Sequence, residues 1–294
     1  MRLIDGSAAD HEAMIEFACQ RNPTMGPEDI GWQLMVPETW PDLRTVTALD
    51  DADEMLGWGW MATGTHAPPG RTSMWVTVRQ DAEGSGVGSA IFRSLLNGRP
   101  DSATELRTMV RDTEPRSLVI AQRWGYEVEE LSIESELPLV GLPTPAPPPD
   151  VTLESCPSLE FDDQDAVETM LLASQTNPEA GAGNVLTCAH LRQTSAGGTS
   201  IGVLARVDGV PAAIAHGTSV EGFLFISYTG VDPAFRGRGL AKLVKQQAHL
   251  DAAASGATLS RTENEEHNAG IRRVNQELGY RVLHGTYRMR LPLG

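Results

Sequence analysis

Lysine is almost missing from this chain. Of 23 basic residues in 294, only Lys242 and Lys245 are lysines; with abundant alanine, glycine and proline, that bias reads as GC-rich coding, so the arginines carry no collective functional meaning. Basic charge is also scarce in total, since 39 acidic residues leave a formal net charge of −16 and an isoelectric point near 4.8. Nucleic acid and anionic membranes reward clustered Lys and Arg, so neither is expected as a partner. An amine-bearing or cationic partner suits the charge, although net charge speaks first to solubility. Cysteine is limited to Cys19, Cys156 and Cys188, an odd number, widely separated and without Cys-x-x-Cys spacing, which points away from a disulfide framework and from a zinc site. No metal is expected. No apolar run reaches the roughly 18 residues of a membrane span, and residues 1–10 show no basic and apolar leader pattern, so a soluble cytoplasmic protein is expected.

What the chain does have is one well-formed loop. The apolar run Phe223 to Gly230 reads as a strand, and Leu240, Val244 and Ala248, with Leu243 beside them, recur at helical spacing. Between them lies Val231-Asp-Pro-Ala-Phe-Arg-Gly-Arg-Gly-Leu-Ala241. Gly237 and Gly239 let the backbone approach a ligand where a first helical turn offers unpaired N–H groups and the positive end of its dipole, a setting for phosphate or diphosphate. A nucleotide P-loop would need Lys-Ser or Lys-Thr after the second glycine, and a dinucleotide fingerprint a third glycine with an acidic residue about 20 positions on. Neither fits. The plain alternative is a glycine turn that only joins strand to helix.

The stretch recurs in altered form. Val78, Gly84 and Gly86 precede Val231, Gly237 and Gly239 by 153 positions, while Trp124-Gly125-Tyr126 and Leu137-Pro138-Leu139 precede Leu278-Gly279-Tyr280 and Leu291-Pro292-Leu293 by 154. Ordered matches at a near-constant offset mean an internal duplication. Leu137 to Asp150 carries six prolines, Pro138, Pro143, Pro145, Pro147, Pro148 and Pro149, which favour an extended spacer over helix or central strand. The expected domains are 1–140, a linker over 141–150, and 151–294, each with its own core. In the first, strands are expected at Met1–Ile4, Leu43–Leu49, Met55–Thr65 and Arg71–Val78, with helices over Ala8–Cys19 and from Val87; Trp58 and Trp60 share one strand face. In the second, strands are expected at Val151–Glu154, Ser200–Val207, Val210–Gly217, Phe223–Val231 and Thr258–Thr262, and a closing hairpin strand at Arg281–Arg290. Helices are expected over Asp165–Ala173, Val185–Arg192, from Leu240, and over Asn268–Glu277. Asp208-Gly209 is a two-residue hairpin signal.

The loop resembles the acyl-CoA signature Val-x-Pro-x-x-Arg-Gly-x-Gly-x-Ala of the GNAT N-acetyltransferase superfamily, and the duplication resembles a tandem GNAT protein whose first half is degenerate. That resemblance implies an α/β fold, mixed α+β, of two GNAT acyl-CoA N-acyltransferase units, each a mixed, partly parallel sheet flanked by helices. It implies acetyl-CoA or another acyl-CoA as co-substrate, no metal, and transfer to the amine of a small-molecule acceptor, with chemistry in the second half. Backbone amides of Arg236, Gly237, Arg238, Gly239, Leu240 and Ala241 would hold the diphosphate, and the Arg236 or Arg238 guanidinium could add a contact. A backbone N–H near Val231 would face the thioester oxygen where the strand splays from its parallel neighbour. Asn268 matches the family asparagine on the pantetheine side and is equally a helix cap. Where many members place a tyrosine that protonates the sulfur, this chain has Asn275. Tyr228 is a substitute donor, and Glu263 or His216 a candidate base. In the first half Gly84, Gly86 and Gly88 still allow a phosphate-accepting loop, but Glu83 replaces Arg236, so this half is expected to bind weakly or act as scaffold. The rival reading is an inactive acyl-CoA-binding or scaffolding protein. Acceptor specificity is expected in residues 22–40 and 177–193.

Overall fold

A computed structural model of the chain describes residues 1–22, 34, 40–65, 67–175, 186–195, 197–220 and 222–294. Most of the acceptor segments named above lie outside the described residues. In chain order the described elements are β1 (Arg2–Asp5), α1 (His11–Arg21), β2 (Arg44–Leu49), β3 (Met55–Ala62), β4 (Arg71–Val78), α2 (Val87–Asn97), β5 (Glu105–Arg111), α3 (Pro115–Arg123) and β6 (Glu127–Pro138). They continue with β7 (Val151–Ser155), α4 (Gln164–Ser174), α5 (Cys188–Thr194), β8 (Thr199–Val207), β9 (Val210–Val220), β10 (Phe223–Val231), α6 (Leu240–Ala254), β11 (Leu259–Glu265), α7 (Ala269–Leu278) and β12 (Arg281–Pro292). The periodic segments therefore fold as their patterns predict. β5, α3 and β6, which the pattern did not assign, are charged strands and a short helix opened by Pro115.

Two compact units result. One comprises Met1–Val110, Glu114–Glu129 and Arg288–Gly294; the other comprises Arg111–Thr113 and Glu130–Tyr287. They do not divide at the proline-rich stretch, which carries no helix or strand from 139 to 150. The last strand of each half is shared out instead. β6 pairs antiparallel with β11 from Ser132↔Glu265 to Pro138↔Leu259 inside the second unit. In the first unit, Leu293 N–H donates to Thr104 O at 2.8 Å and Arg290 faces Glu105 at 3.6 Å. These bounds differ from the expected division at 1–140 and 151–294: Glu130–Pro138 of β6 falls in the second unit, and Arg288–Pro292 of β12 in the first.

In the second unit the strand order is β6-β11-β10-β9-β8-β7. β8 and β9 are apolar on both faces because both faces are covered. Their hairpin turns at Asp208 and Gly209, with φ of 48° and 81°, the left-handed pair that a tight two-residue turn requires. One face packs Leu224 and Ile226 against Leu240, Val244, Ala248 and Ala252 of α6. Full burial of each larger aliphatic side chain there contributes about 1.5–3 kcal/mol. The other face joins Leu204 and Ile214 to Val167, Met170 and Leu171 of α4 and to Cys188 and Leu191 of α5.

The first unit has the order β1-β2-β3-β4-β5-β12. Trp58 and Trp60 do share a face, and it is a core face: both are buried with Met14 and Ala18 of α1. Trp40 meets Trp60 edge-on at 5.9 Å, and Trp58 meets Trp75 at 5.3 Å. No ligand-stacking role is left for them.

Two histidines are buried in the second unit. His216 is held by Ser227 at 2.9 Å and Ser195 at 3.1 Å, and His249 by the Tyr280 hydroxyl at 2.7 Å. Burial pushes His216 down to about 4 and, with Lys245 nearby, His249 down to about 3. An unfolded imidazole titrates near 6.5, so as pH falls below that value the unfolded chain takes up protons that the native state refuses. Stability is therefore complete above about pH 6.5 and declines toward pH 4, by up to about 1.4 kcal/mol per pH unit per histidine. Urea midpoints measured at pH 7 and pH 5 should show this loss, and His249→Gln should flatten it; equal midpoints in the parent protein would contradict the assignment.

Candidate active site

The glycine loop is open. Asp232 ends β10 and accepts from Ala234 N–H at 2.8 Å, fixing a single 3-10 turn over Pro233–Phe235. Arg236 to Gly239 are all exposed. Gly237 and Gly239 take φ of 79° and 76°, and a Cβ built on either would meet nothing within 4 Å, so backbone conformation and not crowding requires glycine. α6 begins at Leu240 without a side-chain cap, and the amides of Gly237 to Ala241 find no acceptor among the described residues. Five N–H groups and the positive end of a four-turn helix face outward together, which is a cradle for an anion. Arg236 bends back to Val231 O at 3.4 Å, while Arg238 pairs with Asp150 at 2.5 Å and holds that carboxyl below its usual range.

The strand leading to the loop leaves its parallel neighbour early. β10 pairs with β9 along its whole length, but between Ile226↔Gly217 and Tyr228↔His216 the register slips by one residue, making Ser227 a β-bulge. β10 pairs with β11 only from Phe223↔Leu259 to Ile226↔Thr262, and the Thr262 hydroxyl donates to Ile226 O at 3.3 Å at the last rung. Beyond it, residues 227–231 and 263–265 form the two edges of a gap that runs toward the loop.

The remaining predicted residues distribute around this gap. Tyr228 lies just past the bulge, its hydroxyl 2.6 Å from Ser174 Oγ of α4. Glu263 lies within β11 and not after it, half-buried and opposite Glu134 of β6, on the strand face away from Asn264. Asn268 is the N-cap of α7, its Oδ1 accepting from Ile271 N–H at 3.3 Å. Asn275 is buried; its Oδ1 accepts from Lys245 Nζ at 2.7 Å and its Nδ2 donates to Asn264 Oδ1 at 2.6 Å. His216 is a core residue enclosed by serines, which removes it as a base. Among the described residues, Glu130, Glu265 and His267 bring three ligand-type groups within 4.8 Å of one another. Sequence reasoning missed Ser227, Lys245 and Asn264. The readable signal was Lys245, a cation next to Val244 on the apolar face of α6.

The first unit repeats the scaffold and alters the site. Thr104 N–H donates to Gly70 O and Thr258 N–H to Gly222 O, both at 2.8 Å, which aligns the two copies at the start of their parallel strands. β4 pairs with β5 only from Arg71↔Glu105 to Ser73↔Arg107, so a gap opens here too. β3 and β4 pair without a slip, however, and β4 has eight residues where β10 has nine: the bulge is missing. Gly84 and Gly86 take φ of 79° and 94°, but Gly88 belongs to the first turn of α2, where its Cβ position is 3.3 Å from Val78. Gly88 is a packing glycine, not a loop glycine. Glu83 stands over this loop, clamped by Arg21 at 2.7 Å and Arg116 at 2.5 Å.

No family model matches the sequence, and no significant match is found among curated proteins. Solved structures do match. A GCN5-related N-acetyltransferase from Sphaerobacter thermophilus is similar at TM-score 0.75 and 17% identity, covering 99% of this chain and 95% of that one. One from Kribbella flavida is similar at TM-score 0.57 and 19% identity, covering 80% and 87%. The fold is therefore that of the GNAT acyltransferases, a mixed α+β architecture. More particularly it is the tandem form: a tandem GNAT protein from the clavulanic acid biosynthesis pathway matches at TM-score 0.75 and 18% identity over 100% of this chain and 98% of its own.

Two glycines test the loop with opposite signs. Gly239→Val forces a β-branched residue into the left-handed region and should lower stability by about 1–2 kcal/mol. Gly270→Ala, within α7 and with no contact nearer than 3.7 Å, should raise it by roughly 0.5–1 kcal/mol. Urea titration of both variants measures the pair, and a stabilised Gly239→Val would exclude the left-handed loop.

Proposed function

We propose that this protein is an acetyl-CoA-dependent N-acyltransferase that moves an acyl group to the amine of a small-molecule acceptor, with the chemistry in the second unit. The observation that carries this reading is the Ser227 bulge followed by early loss of β10–β11 pairing, directly ahead of a helix whose first amides have no internal acceptor. An acyl-CoA divides into an anionic diphosphate end and a narrow pantetheine arm, and these two features match it in that order. Amides of Gly237, Arg238, Gly239, Leu240 and Ala241 hold the diphosphate, while that of Arg236 donates to Pro233 O at 3.5 Å, and release of Arg238 from Asp150 adds a charge-assisted contact. The arm enters the gap, with Asn268 on its side, and an N–H near Val231 meets the thioester oxygen.

The attacking nitrogen forms a bond to the thioester carbon, the carbonyl electrons move to oxygen, and their return expels the thiolate as the C–S bond breaks. The amine proton passes to Glu263, directly or through water. Tyr228 is the donor nearest the bulge. In the first unit, a glutamate over the loop and a strand without a bulge support a scaffold role for Gly84, Gly86 and their helix. The three cysteines form no disulfide, and no described helix is long and apolar enough to cross a membrane, both in keeping with a cytoplasmic setting.

A second reading, an acyl-CoA-binding protein without turnover, rests on one observation: the Tyr228 hydroxyl and the Asn275 amide are both occupied by internal hydrogen bonds. Calorimetric titration with acetyl-CoA, followed by thiol release across a panel of amines, separates the two. The enzyme reading expects binding that Gly239→Val weakens at least about tenfold, amine-dependent thiol release, and a kcat reduced roughly 10²-fold by Tyr228→Phe. Binding without release for every amine selects the second reading. Absence of binding ends both.

A further inference from the structure

The antiparallel ladder of β11 and β6 closes on a group of side chains that acyl transfer does not use. Ser132 pairs with Glu265, and Glu266 N–H, donating to Leu131 O at 2.7 Å, carries the ladder on so that Glu130 stands across from His267. Opposed residues of such a pair, and residues two apart on one strand, share a face. Glu130, Ser132, Glu265 and His267 therefore lie on one face as two facing pairs. One ligand-type atom from each of Glu130, Glu265 and His267 lies within 4.8 Å of the others, and His267 Nε2 is 2.9 Å from Glu265 Oε2. Bonds of about 2.0–2.2 Å to a common ion put neighbouring ligand atoms roughly 3 Å apart, so small side-chain rotations close this set on one.

Two polar atoms here lack what burial demands. Ser132 is fully buried, and its Oγ has no hydrogen-bond partner among the described residues; Oε1 of Glu130 is buried and likewise unpartnered. Buried polar groups are nearly always bonded, and two exceptions on one small face point to an ion or water that completes them. Glu265 also interacts elsewhere, and its two oxygens, with about four lone pairs, let it do both. The His267 side chain is 61% exposed, which leaves a path from solvent.

The duplication shows that the fold does not impose this set. The equivalent crossing, offset by 154 positions in both partners, is Asp112 N–H donating to Gly285 O at 2.8 Å. Around it the matching positions hold Arg111, Thr113, His284 and Thr286. Neither carboxylate remains there.

We propose that Glu130, Glu265 and His267 bind a divalent transition-metal ion, zinc by preference, with Ser132 Oγ bonded to a water in the ion's fourth position. Imidazole with carboxylates in so small a set suits zinc, whereas calcium asks for about six to eight oxygens and magnesium for a near-octahedral oxygen shell. The expectation of no metal rested on cysteine spacing, which says nothing of ligands brought together from two distant strands. The ion's role is structural. Glu265 O accepts from Asn268 N–H at 3.0 Å and His267 O from Ala269 N–H at 2.8 Å, so an ion on these two side chains ties the turn into α7 to β6.

The test is calorimetric titration of the chelator-treated full-length protein with Zn2+, and with Mg2+ and Ca2+ in parallel. One zinc ion should bind per chain, at least about tenfold more tightly than either other ion. Glu130→Gln and His267→Ala should each weaken zinc at least about 100-fold and Ser132→Ala about tenfold, and zinc should raise the thermal midpoint of the parent protein but of neither ligand variant. His267 is exposed, so His267→Ala decides the matter if Glu130→Gln fails to fold. No zinc binding, zinc affinity unchanged in His267→Ala, or a preference for magnesium or calcium would overturn the inference. None of these readouts involves coenzyme A, so each outcome leaves the acyltransferase reading as it stands.

Discussion

Hydrogen bonds that are not made organise the second unit. β10 and β11 begin as an ordinary parallel pair and separate after Ile226 and Thr262, because Ser227 adds one residue to β10 and twists it away. A parallel ladder that stops partway along its strands persists only where the surroundings enforce it. Here β9 continues to pair with the far edge of β10, and α6 packs beneath Leu224 and Ile226. β10 is thereby held to β9 and not to β11 beyond Ile226.

The duplicated chain supplies an internal comparison that a single domain would lack. Both units have a parallel pair that parts early, left-handed glycines at the turn and an uncapped helix after it, so these features belong to the scaffold. Three differences separate the copies, and all three bear on the same region: the bulge, the side chain above the loop, and the polarity of the packing between helix and diverging strand. In the first unit Glu83, the residue before the first loop glycine, is ion-paired with Arg21 and Arg116. The site there is satisfied internally. In the second, the same amides face solvent.

Much of this was legible in the sequence, and the reason is local chemistry. The loop could be read because glycine at a left-handed position and proline opening a turn leave marks that do not depend on tertiary context. β10 could be bounded because an apolar run opens it and the glycine loop closes it. The duplication aligned Trp124-Gly125-Tyr126 with Leu278-Gly279-Tyr280, although 154 positions separate them. The bulge could not be read: Ser227 breaks no pattern and becomes the extra residue only through its register with β9. The unit to which most of β6 and the end of β12 belong was hidden for a related reason. Two halves with equivalent last strands offer each unit two chemically similar partners, and nothing in Glu127–Pro138 or Arg281–Pro292 says which is taken. Glu263 was misplaced by three residues of strand because Glu-Asn-Glu reads as a turn, whereas its pairing with β6 holds it extended.

The charge distribution assigns different roles to the two ends of the proposed cleft. A net charge of −16 repels a polyanionic cofactor at long range, but at physiological salt that field is screened within about 8 Å. Under the proposed function, capture of a diphosphate would depend on short-range donors, the amides of Gly237 to Ala241 with Arg236 and Arg238. The β11–β6 face beside the gap carries Glu263 and Glu265 with Glu134 and Glu136 on the adjoining strand, answered by Arg261 and His284. An amine approaching from that side meets carboxylates that both attract its protonated form and accept the proton it must lose before it can attack. Under the proposed function, the carboxylates beside the gap would favour the cationic reactant and the amide donors of the loop the anionic one, both at short range.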